Sequence, residues 1–185
     1  MVKKVVIIGP ESTGKSTLCE MLSQHFNTIW CPEFAREYLL TNGTKYDFDD
    51  LLTIAKGQIA LEEEIERMVN LPTNPLLFID TDQYVMKVWC EYVFGDCHNW
   101  ILRRIAERPY DLYLLCKPDL PWVKDELREY PDEKHRQELY HMYRDLLIQQ
   151  HTPWLEVKGS YEERFNMAVT AVNKLFGLAA PGNYL

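Results

Sequence analysis

The sequence predicts an α/β domain built on a five-stranded parallel sheet, and three observations carry that prediction. Five short runs rich in β-branched and aromatic residues alternate with helical stretches along the 185 residues. The best formed of these runs are continuously apolar instead of alternating, the pattern of strands buried on both faces. The first run ends in a glycine-bounded loop, Gly9 to Ser16, that opens directly into an amphipathic stretch.

Taken in order, Lys3 to Ile8 is the first strand, and Ser16 to Phe26 places Leu18, Met21, Leu22 and Phe26 at helical spacing. Thr28 to Cys31 is a short second strand stopped by Pro32, and a helix from Phe34 to Leu40 stops at Asn42-Gly43. Asp47, Asp49 and Asp50 offer N-cap oxygens to a long helix reaching about Val69, with Glu62-Glu63-Glu64 as its solvated face. Pro75 to Ile79 is the third strand and delivers Asp80-Thr81-Asp82 at its end. Helices through Tyr84–Val93 and Trp100–Glu107 are separated by Gly95, and Leu112 to Cys116 is the fourth strand. A charged stretch from Asp119 to Arg136 leads into a helix over Gln137–Gln150, then a fifth strand at Trp154–Val157 and a closing helix to Phe176. The reading is a single domain over 1–178 with a tail at 179–185.

Composition excludes some functions. The formal charge of −8, from 20 basic and 28 acidic residues, argues against a nucleic-acid footprint. No apolar run is long enough for a signal-peptide core or a membrane span. Five cysteines without CxxC spacing point to free thiols in a reduced, cytoplasmic compartment.

Gly9-Pro10-Glu11-Ser12-Thr13-Gly14-Lys15-Ser16 fits G-x-x-x-x-G-K-[ST] between a buried strand and a helix, the setting that a phosphate-binding loop requires. The glycines let backbone N–H groups of Gly9 to Thr17 face phosphate, and the helix N-terminus adds a favourable dipole. Lys15 is placed to reach the β- and γ-phosphates of a nucleoside triphosphate, and Ser16 to offer its hydroxyl to Mg²⁺. Asp80, at the end of an apolar strand, is the second candidate for the metal. Asp82 faces the same crevice if strand geometry persists; a helix N-cap is the alternative. Glu33 and Arg36 mark the acceptor side, so Glu33 and Asp82 are the two candidate bases. The stretch at about 119–137 stands where a small-molecule kinase carries a mobile helical lid, with Arg128 and Arg136 as its candidate catalytic cations. Lys124 and Lys134 read equally well as solvated charges. A nucleotide-dependent regulatory switch is the rival class, and a kinase for another nucleoside or nucleoside monophosphate is the nearer rival.

Gly9 to Leu18, Pro32-Glu33-Phe34-Ala35-Arg36-Glu37-Tyr38, Phe78 to Asp82, Tyr110 to Cys116 and Pro121 to Arg128 together resemble the ribosylnicotinamide kinase domain of the bifunctional bacterial NAD-biosynthesis and regulator protein. The likeness spans Lys3 to about Phe176. It implies a nucleoside-monophosphate-kinase-like P-loop fold and ATP- and Mg²⁺-dependent phosphorylation of the 5′-hydroxyl of nicotinamide riboside. It also implies an adenine loop at Lys158 to Arg164, including Gly159 and Tyr161. The chain has no room for the adenylyl-transfer and DNA-binding parts of that protein, so those roles are not expected.

Overall fold

The computed structural model describes residues 1–69 and 75–177. Twelve elements follow one another in it: β1 (Lys3–Ile8), α1 (Lys15–His25), β2 (Ile29–Cys31), α2 (Phe34–Asn42), α3 (Phe48–Met68), β3 (Leu76–Asp80), α4 (Gln83–Phe94), α5 (Asn99–Glu107), β4 (Leu112–Cys116), α6 (Glu133–Ile148), β5 (Trp154–Val157) and α7 (Tyr161–Phe176). The five strands form one parallel sheet in the order β2-β3-β1-β4-β5. The expected domain end at 178 and the tail at 179–185 lie outside the described residues.

The order has a consequence for function. β1 is central, with β3 on one side and β4 on the other, and the chain crosses over it in passing from β3 to β4. In parallel sheets, ligands occupy the crevice beyond the strand C-termini at such a switch point. Successive β1 side chains serve opposite faces. Val5 and Ile7 pack with Leu18 and Leu22 of α1 and Ala168 and Val172 of α7. Val6 and Ile8 pack with Val88 of α4 and Leu139, Tyr143 and Leu147 of α6. Burial on both faces explains the unbroken apolar runs. A third cluster, including Ala35, Leu51, Ile54, Met86 and Ile101, joins α2 to α5 beside the sheet.

Helix ends follow their side chains. Asp47 and Asp50 form a capping box on α3, as Ser160 and Glu163 do on α7. Gly95 at φ 72° ends α4. α1 differs, since it starts after Gly14 with no side-chain cap and no acidic residue in its first turn. Its leading amides are thus left for another acceptor.

Two expectations need correction. The segment between β4 and α6 is an irregular loop and not a helical lid; the helix starts only at Glu133, so Lys134 and Arg136 belong to α6. Pro118, Pro121 and Pro131 account for this, because each lacks an amide donor and pushes the preceding residue out of helical backbone. Glu62 is not solvated but 1% exposed. It accepts from Lys4 Nζ at 2.9 Å, Arg108 Nη2 at 3.1 Å and Tyr110 OH at 2.8 Å, tying α3 to β1 and the start of β4.

Candidate active site

A cavity of about 490 Å³ opens beyond the C-terminal ends of β1, β2 and β3. The phosphate loop forms its floor, α2 one wall, α4 and α6 another, and the β4–α6 loop its roof. Gly9, Glu11, Ser12, Thr13, Gly14, Lys15, Ser16 and Thr17 all line it. Gly9 has φ 144°, and a Cβ there would come within 2.7 Å of the Cys116 carbonyl, so only glycine lets β1 turn this close to β4. Thr13 Oγ1 and Lys15 Nζ both donate to the Pro10 carbonyl, at 2.7 and 3.0 Å, closing the loop on itself.

Asp80 meets this loop from β3. Ser16 Oγ donates to its Oδ2 at 2.5 Å, while Oδ1 is buried with no hydrogen-bond partner. Burial pushes the Asp80 carboxyl up, against the opposing pull of Lys15 and the Ser16 hydroxyl. A buried carboxylate oxygen left unpaired beside a hydroxyl is an oxygen donor set suited to a hard divalent cation.

Glu33 stands opposite, at the turn between β2 and α2, and lines the cavity. Its position is set from α3. Gln58 accepts from the Phe34 amide at 2.7 Å and donates to the Pro32 carbonyl at 3.3 Å, gripping the residues on either side of Glu33. Gly57 makes room for this, since a Cβ there would fall 2.1 Å from the Phe34 ring. Desolvation by the cavity walls, then the charge of Asp80, pushes the Glu33 carboxyl up to about 7. Beside it Arg36 makes a two-pronged pair with Asp125 of the roof, Nη1 to Oδ1 at 3.3 Å and Nη2 to Oδ2 at 3.0 Å. Trp30, Trp89, Tyr92, Tyr130, Tyr143 and Tyr161 supply aromatic surface.

A family profile described as AAA domain matches residues 4–164. The chain belongs to this AAA domain family. It is 30% identical over 181 residues to the trifunctional NAD biosynthesis/regulator protein NadR of Escherichia coli (strain K12), covering 95% of this chain and 43% of that protein. The chain thus spans less than half the length of the curated relative it matches. Among solved structures it superposes on NadR protein in complex with NR, with a TM-score of 0.78 and 24% identity, over 100% of this chain and 52% of that one. It also superposes on thymidylate kinase from Candida albicans, with a TM-score of 0.66 and 16% identity, over 96% and 93% of the two chains. The fold is therefore that of the nucleoside-monophosphate-kinase-like P-loop proteins.

Three residues singled out from the sequence of this AAA domain lie outside the cavity. Asp82 does not face the crevice. The strand stops at Asp80, and Thr81 at φ 70° turns the chain, breaking the alternation that would have aligned Asp82 with Asp80. Asp82 caps α4 instead, accepting from the Tyr84 amide at 3.0 Å and the Tyr113 hydroxyl at 2.7 Å. Arg136 is 6% exposed beneath the roof, donating to the Leu120 carbonyl at 3.4 Å. Gly159 supports the rim without lining it, its amide bonded to Asp119 Oδ2 at 2.9 Å. Arg128 and Tyr161 do line the cavity, and the Arg128 guanidinium donates to the Val123 carbonyl.

The residue that joins these parts entered the sequence reading only as the end of the implied adenine loop, without this role. Arg164 is 1% exposed and donates to the carbonyls of Gly159 at 2.8 Å, Thr13 at 3.1 Å and Lys117 at 2.9 Å, and also to Asp119. It fixes the phosphate loop to the ends of β4 and β5. Its signal is positional: Arg164, Ala168 and Val172 share the buried stripe of α7. Arg164→Ala takes the donor from three carbonyls and the counter-charge from Asp119, so we expect a loss of about 3–5 kcal/mol, read as a Tm drop in thermal unfolding.

Proposed function

We propose that the protein transfers the γ-phosphoryl group of ATP to the 5′-hydroxyl of nicotinamide riboside, giving nicotinamide mononucleotide and ADP. The observation that carries this reading is the charge of the acceptor side. Arg36, the cation that α2 contributes to this side, is already neutralised by Asp125, and the cavity is lined there by the carboxylates of Glu33, Asp80 and Glu129 with several aromatic rings. An acceptor that already bears a phosphate meets like charge there. A nucleoside with a cationic pyridinium ring finds carboxylates and ring faces instead. The name of the Escherichia coli relative and the NR complex of the NadR structure point to the same chemistry.

The roles follow from placement. The uncapped amides of α1 and the loop, with Lys15, hold the β- and γ-phosphates. Ser16 and Asp80 would hold Mg²⁺, which when bound offsets phosphate charge during transfer. Glu33 takes the proton of the 5′-hydroxyl as that oxygen bonds to the γ-phosphorus and the bond to ADP breaks. Arg128 is the roof's cation for the transferring group. Tyr161 borders the adenine side.

A screen of ADP release over nucleosides and nucleoside monophosphates tests the assignment. We expect nicotinamide riboside to exceed uridine, cytidine and thymidine in kcat/KM by about 10²-fold or more, the scale a polar site reaches against a mismatched ligand. A pyrimidine nucleoside or its monophosphate as the better acceptor removes the nicotinamide assignment and leaves a kinase of another substrate. ATP turnover indifferent to every acceptor removes the kinase.

A further inference from the structure

Two side chains of the phosphate loop are engaged away from any phosphate. The Glu11 carboxylate accepts three hydrogen bonds from the roof: from the Trp122 indole at 3.2 Å, the Glu129 amide at 2.9 Å and the Tyr130 amide at 2.7 Å. Ser12 Oγ accepts a fourth, from the Val123 amide at 2.9 Å. These bonds join positions more than a hundred residues apart, and both strands of the roof loop are held: Trp122 and Val123 on the way out, Glu129 and Tyr130 on the return. Arg128 lies between the two attachment points, and its guanidinium leans on the carbonyl of the same Val123 whose amide Ser12 holds.

We propose that Glu11 is a positioning residue that clasps the β4–α6 loop to the phosphate loop, presenting Arg128 before any nucleotide arrives. Its role is thus not that of a nucleotide ligand. A carboxylate beside a triphosphate is repelled unless its charge is already spent on donors, and here three N–H groups take it up. The fit calls for a carboxylate specifically. Its two oxygens offer acceptor sites to donors from two directions, whereas a glutamine turns an NH₂ towards at least one N–H. The roof loop has no helix of its own, so these bonds and the Arg36–Asp125 pair replace the internal hydrogen bonds that a helical lid would contribute. The catalytic consequence of the clasp rests on the kinase reading; the clasp itself does not.

The experiment uses the full chain with Glu11→Gln, Glu11→Ala and Glu11→Asp, each checked for folding by circular dichroism. Trypsin nicking after Lys124 and Arg128, located by mass spectrometry, reports opening of the roof with no ligand present. We expect Glu11→Gln and Glu11→Ala to be nicked there about 10-fold faster than the parent, because cleavage follows the population of the open loop. Glu11→Asp, which keeps the charge, should recover part of the protection. In turnover, kcat should fall about 10-fold while KM for ATP moves by less than about 3-fold, as for a contact that acts in the transition state. Unchanged nicking in both the Gln and Ala variants overturns the clasp. So does a rise in KM for ATP at unchanged kcat, which makes Glu11 a nucleotide ligand. Faster nicking in a protein that ignores nicotinamide riboside upholds the clasp and removes only the acceptor assignment.

Discussion

Lys15→Ala should reduce phosphoryl transfer by roughly 10²- to 10³-fold, the cost of removing one aligned charge from a transferring group. Its ammonium sits in the cavity with the Pro10 carbonyl at 3.0 Å as its hydrogen-bond partner, so the fold loses little when it goes. The variant should unfold within a few degrees of the parent. Lys15→Arg should rescue poorly: a planar fork does not replace a compact ammonium in a loop closed by Thr13 and Pro10. The measurements are kcat at saturating ATP and Tm by calorimetry. Turnover within tenfold of the parent, on folded protein, removes the phosphate loop from the chemistry.

The second large effect is expected at Glu33. Glu33→Gln keeps the shape of the turn but cannot take a proton, so kcat should fall by about 10²- to 10⁴-fold. The pH profile supplies an independent signature. The groups acting on this carboxyl are Asp80 on β3 and Glu11 in the loop, which raise it, and Lys15 on α1 and Arg36 on α2, which lower it; burial outweighs them all and leaves it at about 7. The basic form grows as pH rises through that value. Activity of the parent should therefore show an acid limb near pH 7 that Glu33→Gln lacks. The stability effect has the opposite sign. The folded carboxyl holds its proton more tightly than the unfolded one, whose ordinary value is 4.5, so this group's contribution is fully present below that and is lost as pH rises towards about 7. The domain should thus become slightly less stable over the interval in which it becomes active. Asp82→Asn serves as the contrast. Its carboxyl is pushed up to about 7 by burial as well, but it caps α4 and binds Tyr113 outside the cavity. That variant should alter Tm while keeping kcat within a few-fold. A deep loss of kcat at Asp82 with little at Glu33 would exchange their roles.

These two carboxylates also mark where sequence reasoning succeeds and where it stops. The phosphate loop was legible because its function resides in backbone geometry, which glycine at fixed places reports directly. The strands were legible because burial on two faces leaves no polar positions to confuse the pattern. Asp80 could be read as the last residue of such a strand. For Asp82 two readings stood open, and the N-cap is the one that holds, because one residue at positive φ, Thr81, cancels the period that would have aimed it at the crevice. Arg136 and the helical lid failed through local backbone: three prolines keep the roof irregular, and the residues after them enter α6. Gln58, Glu62 and Arg164 were hidden for another reason. Each is a polar residue on the buried stripe of a helix, and its partners lie far away in sequence.

Arg164 bears on how the domain comes into being. A strand, a glycine loop and a helix are readily pictured as a portable cassette, competent as soon as the residues from Lys3 to His25 exist. Here the Thr13 carbonyl is held by a guanidinium 151 positions downstream, on α7. During vectorial synthesis the first part of the site to be made therefore waits for the last part to leave the ribosome. Contacts of such separation form late, since closing the intervening chain costs entropy before it returns any stabilisation. Nucleotide can then reward the finished domain but cannot template its early stages. Conversely, an injury that merely loosens α7 should silence phosphate binding while the sheet is still intact.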